Sequence, residues 1–165
     1  MAIHQTLRRR FSVKDFARMV EIGIFTEDDR VELIDGEVIV MSPIGPRHTS
    51  LVKRLNALLS RQLASRMIIS VQDPVQLTDD TEPLPDLAVL RCRDDFYAHT
   101  HPQSEDVLLI VEVADSSLAY GREEKVPRYA RSGIPEVWVI DVEQETVTQY
   151  THPDEQRYRN GVPFF

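Results

Sequence analysis

This sequence of 165 residues has only one cysteine and no long apolar run. Its single cysteine, Cys92, excludes an internal disulfide and is typical of a reducing compartment, so we expect a cytoplasmic protein. No stretch approaches the roughly 20 apolar residues of a membrane helix, and we expect no membrane partner. The start of the chain is basic without an apolar segment behind it, which is not the pattern of a secretory signal.

The chain also has few aromatic residues and no excess of positive charge. Aromatics make up 7% of the chain, which does not favour a stacking surface for single-stranded nucleic acid. The net charge of −8 argues against strong non-specific binding of nucleic acid, because that affinity comes mostly from neutralised phosphates. One basic cluster, Arg8 to Arg10, falls within residues 1–11, which we expect to form a flexible arm.

Local patterns along the chain predict an α/β fold, an α+β mixed sheet with helices on its faces. Ser12 followed by Asp15 is a capping pattern for a first helix, and Asp35-Gly36 between two apolar arms predicts a β-hairpin. Further helices are predicted over about 46–65 and 118–132, and strands over 86–91, 107–113, 136–141 and 146–150, with a possible start of another from 158. Pro127 predicts a kink or a late start in the last helix. The length fits one domain, residues 1–165.

Two acids occupy positions in or beside apolar strands, where an ionised carboxylate is costly unless it is compensated. Asp86 precedes the run Leu87 to Leu90, and Glu112 lies inside the run Val107 to Val113, whose apolar residues on both faces predict a central strand. If the two strands pair in a suitable register, both carboxylates project to the same side. Oxygen ligands are what Mg²⁺ prefers, so the pair could hold a divalent metal, with the Val113 carbonyl as a third ligand.

Lys125 extends this candidate site, because it lies at the edge of the apolar face of the last predicted helix. An ammonium there could orient an attacking water or stabilise a developing oxyanion. The alternative from the residues alone is structural: Glu112 pairs with an arginine, and Asp86 caps a turn. His48 is predicted on the inward face of the first turn of the second helix.

An ordered set of short motifs resembles the Uma-type family of restriction-endonuclease-like proteins, within the PD-(D/E)XK nuclease superfamily. The set covers roughly residues 31–150 and comprises Glu32-Leu33-Ile34-Asp35-Gly36-Glu37, Met41-Ser42-Pro43, His48, Pro85-Asp86-Leu87, Val111-Glu112-Val113, Ser116-Ser117, Lys125, Tyr129 and Gly133 to Asp141. The resemblance implies a restriction-endonuclease-like core, metal-dependent hydrolysis of nucleic acid with Mg²⁺ or Mn²⁺, DNA as the substrate and a homodimer.

The resemblance also implies roles for individual residues. Asp86 and Glu112 correspond to the two acids of the motif, while the superfamily's usual lysine position holds Ala114 and the lysine maps to Lys125. Glu32 and His48 match further positions near the site; the alternatives are a plain hairpin residue and a helix-start histidine. The family commonly has an aspartate where this chain has Gly121, and Glu123 or Glu124 could replace it.

Other functions compete with a nuclease. A non-catalytic binding or regulatory domain with the same fold is favoured by Gly121 and by the acidic net charge. A zinc site at His99 and His101 lacks further convergent ligands. A serine hydrolase at Ser116 or Ser117 with His48 lacks the glycine pattern of a nucleophile elbow. Tyr97, Tyr120 and Tyr129 are candidates for contact with a substrate.

Overall fold

A computed structural model describes residues 8–26, 28–63, 66–115 and 119–164 of the chain. Its α-helices are α1 (Val13–Glu21), α2 (Pro46–Leu63) and α3 (Val126–Arg131). Its strands are β1 (Val31–Ile34), β2 (Glu37–Val40), β3 (Met67–Val71), β4 (Leu87–Arg91), β5 (Val107–Ala114), β6 (Glu136–Asp141), β7 (Thr146–Pro153) and β8 (Tyr158–Phe164). A short 3₁₀ turn covers Ser104–Asp106, and a π-helical turn covers Tyr120–Lys125.

The main sheet is mixed and has the order β3-β4-β5-β6-β7-β8. β5 pairs antiparallel with β4 and parallel with β6, and the remaining neighbours are antiparallel. The prediction of a central strand over 107–113 is therefore confirmed. The mixed sheet flanked by helices is confirmed too, as is a last strand from residue 158.

Two hydrophobic layers cover the faces of this sheet, and strand alternation decides which residue joins which layer. Leu87 and Val111 pack with Val52 and Leu59 of α2 on one face. Ala88, Leu90 and Ile110 pack with Val126, Tyr129 and Ala130 of α3 on the other. Within α2, Leu58 is 43% exposed, whereas its neighbour Leu59 is buried against the sheet. Among the described residues, no helix is both long and apolar enough to cross a membrane.

The N-terminal elements follow the local sequence signals. Ser12 and Asp15 form the predicted capping box of α1. Asp35 (φ 48°) and Gly36 (φ 77°) form the turn of the predicted β1–β2 hairpin. The segment before α1 packs closely against Gly36, where the Phe11 amide donates to the Gly36 carbonyl. A Cβ at position 36 would lie only 2.7 Å from the Arg10 Cβ, so a side chain would clash there. Residues 1–7 of the predicted arm lie outside the described residues.

The helix predicted over 118–132 begins in an unusual way. Leu118 lies outside the described residues, and Tyr120–Lys125 form a π-helical turn in which the Val126 amide donates to the Gly121 carbonyl, five residues back. Ala119 is already helical, and the helix continues through the wide turn into α3, which has Pro127 in its first turn. Proline lacks an amide hydrogen, so the kink or late start predicted from Pro127 takes the form of a change of helix type just before it.

Candidate active site

A cleft of about 480 Å³ opens where the hairpin, the start of α2, the ends of β4 and β5 and the π-helical turn meet. Four of the predicted catalytic residues line it: His48, Asp86, Glu112 and Lys125. The fifth, Glu32, contacts Lys125 and is fully buried. The five side chains that were selected from distant parts of the sequence therefore lie together.

The register of β4 and β5 brings the two predicted metal ligands to the same place. Leu87 of β4 pairs with Val111 of β5 in the antiparallel ladder. Continuing that register by one residue sets Asp86 opposite Glu112, and side chains that lie opposite each other point to the same face. The suitable register on which the shared site depended is the one observed, and Val113 lines the cleft as well.

Lys125 is held between two carboxylates. Its Nζ lies 2.8 Å from Glu112 Oε1 and 3.3 Å from Glu32 Oε2, and the side chain is only 3% exposed. Burial alone would lower the pKa of Lys125, but the charges of Glu112 and Glu32 outweigh burial and raise it above its ordinary value. The amine therefore stays an ammonium at neutral pH and cannot serve there as a general base.

For Glu112 the balance is the opposite one, because burial outweighs the attraction of the neighbouring ammonium. Burial raises its pKa to about 7; the Lys125 ammonium opposes that rise, and the charge of Asp86 adds to it. The hydroxyl of Tyr129 donates to Glu112 Oε1 at 2.5 Å. Tyr129 is fully buried, so the proposed contact between this tyrosine and a substrate is wrong: helical spacing placed it on the inner face, where it holds the acid.

Asp86 is anchored by neighbours that favour its charged form. Its Oδ2 accepts the Val113 amide at 2.8 Å, and its Oδ1 lies 3.0 Å from His48 Nε2 and 3.3 Å from Gln72 Nε2. Burial works against ionisation, yet the hydrogen bond and charge of His48 and the other two donors keep the pKa of Asp86 below its ordinary value. Asp86 is thus an anchored carboxylate rather than the plain turn cap considered above.

Glu32 contacts Lys125 and is itself held by two hydrogen bonds. Its Oε1 accepts the hydroxyl of Tyr120 at 2.9 Å, and its Oε2 accepts the Leu84 amide at 3.0 Å. Hydrogen bonds between Leu33 and Glu82 tie the hairpin to the segment before β4. Glu32 thereby links the hairpin, the segment before β4 and the π-helical turn, so its contacts exceed those of a plain hairpin residue.

Comparison with known proteins identifies the family and the fold of the chain. Residues 13–163 match the Uma2 family, which carries the description "Putative restriction endonuclease". The chain belongs to this family. Five chains of solved structures also match, among them the crystal structure of "a putative nuclease belonging to DUF820 from Anabaena variabilis ATCC 29413". No curated protein matches the chain.

The similarity to the Anabaena protein concerns the fold. The two chains share 12% sequence identity and superpose with a TM-score of 0.71, over 93% of this chain and 84% of the other. Identity this low carries no residue roles. The family and the restriction-endonuclease-like fold expected from the sequence are both confirmed, and together they support a nuclease.

Two charged residues of this Uma2 protein line the cleft without having been singled out in the sequence. Arg30 immediately precedes β1, and Asp115 immediately follows β5. Strand alternation could have found Arg30, since it lies two residues before Glu32 and therefore on the same side of the strand. Nothing in the sequence distinguished Asp115 from an ordinary polar residue at a strand end.

The competing sites fare differently. His101 Nδ1 lies 3.0 Å from Glu82 Oε2, a single acid partner, which accounts for the raised pKa of the histidine. Within the described ranges, no group of three or more His, Cys, Asp or Glu residues is arranged to hold a metal ion, so a zinc site at His99 and His101 has no support there. The serines of the hydrolase hypothesis, Ser116 and Ser117, lie outside the described residues. The structural alternative in which Glu112 pairs with an arginine is wrong, because its cationic partner is Lys125.

The raised pKa of Glu112 predicts a pH-dependent stability of the metal-free Uma2 protein. The folded state holds the Glu112 proton more tightly than the unfolded state does, so this contribution is complete below pH 4.5 and is lost as the pH rises through about 7. We expect the free energy of unfolding of Glu112→Gln, relative to that of the wild type, to increase across this range. Urea unfolding of both proteins at matched pH values measures the difference, and a constant difference would contradict the prediction.

Proposed function

We propose that the protein is a divalent-metal-dependent nuclease that hydrolyses phosphodiester bonds of nucleic acid, with DNA as its substrate. The observation that carries the proposal is the convergence of Asp86, Glu112 and Lys125 on one cleft. Membership of the Uma2 family supports the reaction class. The homodimer and the cytoplasmic location expected from the sequence stay predictions.

The donor set of the cleft fits a hard divalent cation such as Mg²⁺ or Mn²⁺. Two carboxylates face each other there, and the charge of Asp86 raises the pKa of Glu112, a repulsion that a bound cation would relieve. Mg²⁺ commonly takes only one or two protein carboxylates and completes its shell with waters. Asp86, Glu112 and the Val113 carbonyl are the proposed ligands. When bound, the metal would acidify water and offset charge on the phosphoryl group.

The protein's own side chains would position the reaction. The Lys125 ammonium, fixed by Glu112 and Glu32, offers a permanent positive charge beside the ligands, where it can hold a water or the phosphoryl oxygen on which negative charge develops. Tyr129 and Glu32 keep Lys125 and Glu112 in place through the contacts described above. His48 does the same for Asp86, and it holds the carboxylate in its charged form.

The direct test is cleavage of plasmid and single-stranded DNA by the purified protein. We expect cleavage with Mg²⁺ or Mn²⁺ and none after addition of a chelator. Glu112→Ala, purified identically, controls for contaminating nucleases, because a contaminant would remain while the protein's own activity would disappear. Equal cleavage by the wild type and Glu112→Ala would refute the proposal, as would absence of cleavage with either metal.

A non-catalytic binding domain with a retained nuclease fold is the second candidate function. Gly121 favours it, since the family's common aspartate is missing from a position that lines the cleft. The net charge of −8 also opposes tight binding of a polyanion. Calorimetry discriminates the two functions, since this candidate predicts no metal binding, whereas a stoichiometric Mn²⁺ signal that Asp86→Asn abolishes would exclude it.

Restoring an acid at position 121 should tighten metal binding. Gly121 lines the cleft, and a Cβ placed there meets no heavy atom within 4 Å, so a side chain can begin there without a clash at its first carbon. We expect Gly121→Asp to lower the dissociation constant for Mn²⁺ about tenfold, because affinity rises with the number of charged ligands. Calorimetry measures this change. The matched control Gly121→Asn has the same size without the charge, and an equal effect of both variants would contradict the prediction.

A further inference from the structure

Arg30 lines the cleft, and no acid among the described residues forms an ion pair with it. The Nη1 atom of Arg30 is buried without a hydrogen-bond partner. Lys125, the other permanent cation of the lining, is shared by Glu112 and Glu32. A buried guanidinium N–H group without a hydrogen-bond partner is unfavourable in the free protein unless a ligand supplies the acceptor.

The hairpin fixes the side of the strand on which Arg30 lies. Alternation along β1 places Arg30 on the side of Glu32, which faces Lys125. The Met41 amide donates to the Arg30 carbonyl at 2.8 Å, which extends the β1–β2 ladder past its last pair, Val31 with Val40. Arg30 and Met41 therefore form a hydrogen-bonded cross-strand pair, and both line the cleft.

We propose that Arg30 binds a phosphate group of the substrate strand beside the bond that is cleaved. This inference rests on the proposed nuclease function, and it assigns Arg30 to substrate binding rather than to the reacting atoms. A guanidinium presents parallel N–H donors that match two phosphate oxygens, which makes arginine the preferred residue for such contacts. In a chain with a net charge of −8, an unpaired cation at the cleft also offsets the repulsion that the acids exert on a polyanion.

The side chains next to Arg30 suit the rest of a nucleotide. Ile39 pairs with Glu32 across the hairpin and so lies on the same side as Arg30, and Ile44 in the following loop is 39% exposed; both line the cleft. Such apolar surface can contact a sugar or a base, while the guanidinium takes the phosphate. The wall made by the hairpin and the following loop thus combines one cation with apolar contacts, in contrast to the acidic wall at Asp86 and Glu112.

The test measures binding separately from cleavage. All proteins carry Glu112→Gln to prevent hydrolysis, and the probe is a dye-labelled single-stranded oligonucleotide, with its duplex in parallel, followed by fluorescence anisotropy in Mg²⁺ at several salt concentrations. We expect Arg30→Met to raise the dissociation constant about tenfold and to reduce the slope of log affinity against log salt by roughly 0.7 to 0.9, the value for one phosphate contact. Arg30→Lys should lose less affinity, because it keeps the charge but not the paired donors.

Arg54→Met is the matched control, since it removes the same charge from an exposed position outside the cleft. We expect its binding to equal that of the parent. Unchanged affinity and slope in Arg30→Met, an equal effect of Arg54→Met, or no binding by the parent would overturn the role of Arg30. If the wild type does not cleave DNA but binding depends on Arg30 as stated, the role of Arg30 stands and catalysis fails. If metal-dependent cleavage is found while Arg30→Met binds like the parent, the reverse holds.

Discussion

Replacing Lys125 with methionine is expected to lower the free energy of unfolding by about 3–5 kcal/mol, the usual cost of removing one partner from a buried ion pair. Methionine fills much of the volume, but Glu112 and Glu32 would remain buried without their cation. The loss should be larger at high pH, where Glu112 can no longer escape by taking up a proton. Urea unfolding followed by circular dichroism measures it.

Two further variants show whether charge is the cause. In Lys125→Met with Glu112→Gln, one uncompensated carboxylate is gone, so we expect part of the stability to return. Lys53→Met removes an exposed lysine of α2 and should change stability by less than about 0.5 kcal/mol. An effect of Lys125→Met as small as that of Lys53→Met would contradict the buried pair. Among the molecules that remain folded, Lys125→Met should cleave at least about a thousandfold more slowly than the wild type.

Asp86→Asn is expected to weaken Mn²⁺ binding at least about a hundredfold and to abolish metal-dependent cleavage. The amide oxygen of asparagine can still accept the Val113 amide, so the fold should persist while the charged ligand is lost. Isothermal calorimetry with Mn²⁺ measures the affinity, and the DNA assay measures the turnover. Because the charge of Asp86 helps to raise the pKa of Glu112, the variant should also lower that pKa.

The control for Asp86→Asn is Asp73→Asn, which removes an acid that contacts Ser70 and does not line the cleft. It should leave Mn²⁺ affinity and cleavage unchanged. If both variants bound Mn²⁺ like the wild type, Asp86 would not be a ligand, and the anchored carboxylate would serve only the local structure. A loss of affinity in both would indicate a general effect of net charge instead.

The parts of the fold that could be predicted are those fixed by short-range rules. The capping box at Ser12, the positive φ angles at Asp35 and Gly36 and the proline at the start of α3 each act within a few residues. Because β5 is covered on both faces, its sequence is a nearly continuous apolar run, and such a run predicts a central strand. Exposure of Leu58 was not predictable, because adjacent leucines leave open which of the two faces the sheet.

The site could be predicted in its members but not in its connections. An acid within an apolar strand draws notice because burial of charge is costly, so Asp86 and Glu112 were evident. Their pairing depended on a strand register that only the folded sheet fixes. The partner of Glu112, the role of Tyr129 and the unpaired state of Arg30 depend on contacts between distant segments, which no local pattern encodes.

The direction in which the Lys125 side chain points depends on the number of residues in the π-helical turn over Tyr120–Lys125. A lysine on β5 would be fixed by sheet pairing, whereas this one is fixed by how many residues the wide turn contains. Removing a single residue there would tighten the turn and rotate the side chain by about 100° around the helix axis, away from Glu112. A deletion or insertion just before α3 would thus remove the lysine from the site while leaving the sheet, the two acids and the hairpin unchanged.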